Sequence, residues 1–144
     1  MIEPDTIKLL RECDAGIRMG VKSIDDVLGH IKSGELLKLL KSCRDKHDVL
    51  DGELQKLLSE YGDEGKEPNF MAEKMAEMKT GFKLGLDDTD HTIADLMTDG
   101  CNMGVKSLSR YLNQYAAADE KSKDIAKKLI ALESQLVEDI RDFL

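Results

Sequence analysis

His47 stands on an inward step of a helical stripe, Leu36, Leu40, Cys43, His47, Leu50, Leu54. Histidine changes charge near neutral pH and is a frequent metal ligand, so one drawn into an apolar stripe needs a partner. Glu133 holds the matching step of a later stripe, between Leu129 and Leu136. Three readings fit such a pair. The first is a structural hydrogen bond from His47 to Glu133 or another side chain. The second is exposure at the stripe edge with no role. The third is a catalytic or noncanonical metal centre on His47, with Glu133, Glu12 or Cys43 as further ligands.

A di-iron centre in a four-helix bundle takes a Glu from each of two helices and Glu-x-x-His from each of the other two. Here Arg44 lies three before His47, Ile130 lies three before Glu133, and Cys13 and Met97 fill the inner steps of the remaining helices. Most oxygen ligands of that centre are missing. No catalytic residue is therefore assigned, no cofactor is expected, and an enzyme is the less favoured reading. Iron, manganese or zinc at His47 is the alternative. Glu12, Glu53, Asp95 and Asp139 suit solvated helix flanks, and His30 and His91 suit exposed positions near helix ends. The string HDVLDG from His47 lacks the lysine of a phosphotransfer site. The chain has no glycine-rich phosphate loop, nucleophile elbow or paired-cysteine metal pattern.

The elements that must position these residues are helices, and they come twice. GIRMGVKSIDDVL from Gly16 recurs as GCNMGVKSLSRYL from Gly100, and LLKSCRDKHDVLDGEL from Leu39 aligns more weakly with IAKKLIALESQLVEDI from Ile125. An internal repeat of this kind predicts two matched helix pairs. The first helix runs from an Asp5 cap to about Ile31 with Leu10, Cys13, Ile17, Val21, Ile24 and Leu28 on one face. The second follows Ser33-Gly34 and ends at Gly62. The third is capped near Thr89 and presents Met97, Cys101, Val105, Leu108, Leu112 and Tyr115, and the fourth follows Asp119 with Ile125, Leu129, Leu136 and Ile140. Apolar residues recurring every three or four positions are the mark of an amphipathic helix.

Gly16 and Gly20 are four apart, as are Gly100 and Gly104. Each glycine inside a helix costs about 1 kcal/mol relative to alanine. Close approach of the first and third helices would offset that cost. A contact between two copies of the chain through the same faces is the rival reading.

The formal charge of -8, with lysines interleaved among acidic residues, argues against a nucleic-acid partner. No apolar run approaches the roughly 20 residues of a membrane span. MIEPDTIKLL lacks the pattern of a secretory signal. Cys13, Cys43 and Cys101, odd in number and on apolar faces, read as reduced thiols of a cytoplasmic protein.

These segments together resemble bacterial ferritin-like four-helix proteins of unassigned function. The resemblance rests on ECDAGIRMGVKSI, on H-x-x-L-x-x-E-L from His47 to Leu54, on GCNMGVKSL, and on IAKKLIALESQLVEDIRDFL. It implies an all-α bundle of two antiparallel hairpins, about residues 6–61 and 89–144, in a single domain. A long crossover, about 62–88, joins them and contains a short helix from Phe70 to Phe82. Relatives of that kind store iron, reduce oxygen or peroxide, or oxidise substrates at a di-metal centre, but Arg44 and Ile130 depart from their ligand pattern. The expectation for this chain is accordingly a non-enzymatic bundle. It acts through self-association, as a homodimer or higher homo-oligomer, or through a protein partner; Met71, Met75 and Met78 read first as a cover for the bundle, with an adaptable partner face as the alternative.

Overall fold

The computed structural model describes residues 2–66 and 89–144. Among them are four α-helices and no strand: α1 Pro4–Leu28, α2 Gly34–Glu60, α3 Asp90–Gln114 and α4 Glu120–Asp139, closed by a 3₁₀ turn at Arg141–Phe143. The Phe70–Phe82 helix and the methionines Met71, Met75 and Met78 lie outside the described residues.

Local chemistry accounts for the helix ends. The side chains of Ser33, Thr89 and Asp119 accept from the backbone N–H of Leu36, Thr92 and Ser122 and so begin α2, α3 and α4. The first helix starts one residue before the expected Asp5 cap. Pro4 opens it without a side-chain cap, because proline at the first helical position is already set to the helical φ. Asp5 is thereby released to accept from Ala117 N at 3.1 Å, across to the segment that joins α3 to α4.

α1 packs on α2 and α3 on α4, while α4 also touches α1 and α2, and α1 touches α3. Two apolar layers result. One gathers Leu9, Leu10, Ile17, Leu54, Leu58 and Leu129; the other gathers Ile24, Leu36, Leu40, Cys43, Met97, Cys101 and Leu136. The predicted inward stripe of α2 is buried from Leu36 to Leu57. Val21, Leu28, Ile31, Val105 and Leu112 are only half-buried, at the margins of the stripe.

Hydrogen bonds fix the two ends. Asp90, at the start of α3, accepts from the backbone of Lys32 and Ser33, both at 2.8 Å. At the other end Asp119 N donates to Thr6 Oγ1 at 2.8 Å, and Tyr61 Oη donates to Asp119 at 2.5 Å. The chain after α2 turns back along α1. Arg11 grips Asp63 through two bonds of 3.0 and 2.6 Å, and Lys66 pairs with Glu12 at 2.6 Å.

Asp14 organises that turn. Its carboxylate is 0% exposed and accepts from Gln55 at 3.0 Å, Lys66 N at 2.9 Å and Arg18 at 3.2 Å. Gly65 has φ +85°, and a Cβ there would lie 2.2 Å from Asp14 Oδ2, so only glycine lets the turn close on the carboxylate. Asp14→Asn keeps one acceptor but turns a donor toward other donors. We expect a loss of about 1–2 kcal/mol, read as a lower urea midpoint with an unchanged slope.

Candidate functional site

Among the described residues, His47 and Glu133 are the two ionisable side chains whose burial leaves an atom without a partner. His47 is 2% exposed and Glu133 7%. Each is pressed against a helical glycine of the neighbouring helix in its own pair. A Cβ on Gly20 of α1 would lie 2.8 Å from His47 Nε2, and one on Gly104 of α3 would lie 2.3 Å from Glu133 Oε2. The two glycines occupy repeat-equivalent positions, and so do the two polar residues. Absence of a side chain in α1 and α3 is what admits an imidazole from α2 and a carboxyl from α4.

This differs from the expected contact between glycine-bearing backbones. At Gly16 a Cβ would meet only Leu129 Cδ2, at 3.4 Å, and at Gly100 nothing within 4 Å. The four glycines thus have distinct surroundings. Two seat a polar tip, one touches α4, and one faces open space.

His47 Nδ1 lies 2.8 Å from the Cys43 carbonyl oxygen, with Cys43 Sγ at 3.6 Å. A carbonyl only accepts, so Nδ1 carries the proton and donates, and the neutral ring leaves Nε2 as a bare lone pair. Nε2 has no hydrogen-bond partner, nor has Glu133 Oε2. Burial pushes the His47 pKa down, against the opposing pull of the Cys43 carbonyl and the Asp48 charge. Burial pushes Glu133 up from 4.5 to about 8, because desolvation disfavours the charged form. Neutral imidazole and neutral carboxyl are therefore the resting forms at pH 7.

Two thiols border this pair. Cys43 and Cys101 belong to one apolar layer with Leu136, a turn beyond Glu133. Burial, with a smaller part from the Glu133 carboxylate, raises them to about 11 and about 12. Neither is a thiolate nucleophile at neutral pH. All three cysteines are free and buried. Among the described residues no three His, Cys, Asp or Glu side chains stand close enough together to hold a metal ion as they are.

The remaining candidates are placed elsewhere. Glu12 is engaged by Lys66 on the outer turn, at 2.6 Å. Arg44 points outward, where it holds Asp25 at 2.6 Å and Asp48 at 3.0 Å. Ile130 packs against the first apolar layer. Glu53 pairs with Lys128 and Asp139 accepts from Gln135, both at the surface. His30 and His91 are exposed. A groove of about 600 Å³ between α1 and α2 has Ile17 and Val21 beside Asp25, Asp26, Asp48 and Asp51. Its carboxylates are engaged by Arg44, Lys22 and Gln55, so the groove is a charge-paired seam. Reading the sequence missed Asp14 as a buried carboxylate. The available signal was its i,i+4 spacing to Arg18 beside the inward Cys13.

Compared with protein-family models, with curated proteins and with solved structures, the chain matches none. No helix among the described residues is long and apolar enough to cross a membrane.

Proposed function

We propose that this protein is a cytoplasmic ferritin-like bundle that acts by association, with a second copy or with a protein partner, rather than by catalysis. The ferritin-like connection draws support from the chain ends around the crossover. Lys66 lies beside Asp14, while Asp90 lies beside Lys32 and Ser33 at the far end of α1. A long segment joining two antiparallel hairpins meets that requirement. A reducing compartment suits three buried free thiols.

One observation carries the association reading. Gly100 is an exposed glycine in the middle of α3 with open space where a Cβ would be, and Met103 on the same face is 70% exposed. Such a glycine costs about 1 kcal/mol of helix stability, and among the described residues no contact offsets it. A second helix lying against this face would do so, with Met103 adapting to its surface. Light scattering over a concentration series should show a particle heavier than one chain. Met103→Lys should raise the dissociation constant about tenfold or more without changing the thermal midpoint of the monomer. A single-chain mass at every concentration would remove self-association.

A second reading, a noncanonical centre for iron, manganese or zinc on His47, is favoured by the bare Nε2 atom.

A further inference from the structure

We infer that two copies of this chain join through α3, antiparallel about a two-fold axis, with Met103 of each copy seated on Gly100 of the other and Lys106 of each beside Asp99 of the other. This arrangement rests on the association reading above and narrows it to one partner and one geometry. The outer face of α3 carries it. Asp99, Met103, Lys106 and Arg110 follow one another at steps of four, three and four, so they share one side of the helix. All four are exposed. The opposite side, with Met97, Cys101 and Leu108, is buried in the bundle. Gly100 lies one turn before Met103 on the outer side, with nothing within 4 Å of a Cβ. A notch and a flexible, protruding side chain are thus presented one turn apart. When two such helices lie antiparallel, each methionine fills the other's notch. Laid parallel, only one of the two could. The antiparallel contact is self-complementary and closes at two copies.

Charge selects the same direction. Along this face the acidic residue, Asp99, precedes Met103, and the two cations, Lys106 and Arg110, follow it. Parallel helices in register would set Asp99 against Asp99 and Lys106 against Lys106, whereas antiparallel helices bring opposite signs together. With Met103 opposite Gly100, Lys106 falls about two residues, or about 3 Å along the axis, from Asp99 of the other copy. The four-carbon stem of lysine spans that offset. Among the described residues none of these three charges is held in an ion pair within the chain. The whole chain carries -8, and two such chains repel each other. A contact face with one acidic and two basic side chains eases that repulsion where the copies meet.

Sedimentation equilibrium of the full-length chain should give a mass of two copies that dissociates on dilution. Asp99→Lys and Lys106→Asp should each weaken the dimer about tenfold, because each turns two symmetric attractions into repulsions. The double variant Asp99→Lys/Lys106→Asp exchanges the signs and should recover most of the affinity. An equimolar mixture of the two single variants should form a mixed dimer tighter than either variant makes alone. Gly100→Gln fills the notch and should also weaken the dimer about tenfold. All four substituted positions face outward, and far-UV circular dichroism of each variant separates lost association from lost folding. A dimer unchanged in both single variants, or not recovered by the exchange, would overturn this pairing and leave self-association through another face. A mass above two copies would overturn the closed two-fold arrangement. A single-chain mass at every concentration would overturn the pairing and self-association together.

Discussion

Glu133→Gln is expected to make the protein more stable at pH 7 by about 3 kcal/mol. The folded chain holds this carboxyl at about 8, against an ordinary 4.5, through burial without a cation. Between those values the unfolded chain has shed a proton that the folded chain retains. The contribution of Glu133 is thus complete below about pH 4.5 and is lost as pH rises through about 8. Glutamine fills the same volume, stays neutral, and places an amide where the acid stood. His47 runs the other way. Its pKa is lowered by burial, so its contribution is complete above the ordinary 6.5 and is lost as pH falls through the depressed value. Urea unfolding of the native chain from pH 5 to 9 should therefore show stability falling on the alkaline side. In Glu133→Gln the alkaline fall should be much reduced and the acid-side loss retained. An equal alkaline slope in both proteins would mean that Glu133 is already ionised and paired.

Gly20→Leu should destabilise the fold by about 3 kcal/mol, at the upper end of overpacking effects. A Cβ alone would lie 2.8 Å from His47 Nε2 and 3.1 Å from Cδ2. The imidazole has little freedom to retreat, because its other nitrogen is bonded to the Cys43 carbonyl. Gly104→Leu meets a carboxyl on a flexible arm, so Glu133 can swing aside and the loss should be smaller. At Gly100 the outcome should reverse. Gly100→Ala meets nothing within 4 Å and should gain about 0.5–1 kcal/mol from helix propensity alone. Thermal unfolding of the three variants checks the order. Removing the clash with Gly20→Leu/His47→Ala should recover part of the loss, since neighbouring sites are not additive. Equal effects at Gly20 and Gly100 would contradict the seating of His47.

Several features of the fold were legible because they are encoded locally. The caps at Thr89 and Asp119 need only a side-chain oxygen two or three residues ahead of an orphan N–H. The inward run from Leu36 to Leu57 needs only the helical period. The Asp5 cap did not form because Pro4 started the helix first, a competition between two adjacent residues that both favour helix starts. Asp14 was hidden for a different reason. A carboxylate next to an inward position reads as solvated until a distant glycine turn, Gly65-Lys66, folds over it.

By itself, then, the order of residues determined four helices, the starting caps of the third and fourth, and the unusual presence of a histidine and a glutamate on apolar steps. Period and capping act within a turn or two of chain, so no distant contact is needed to read them. Tertiary structure alone decided that Gly20 and Gly104 seat those polar tips and that Nε2 is the bare nitrogen. Such facts depend on the separation and rotation of helices tens of residues apart, set by how their side chains interlock in one close-packed interior.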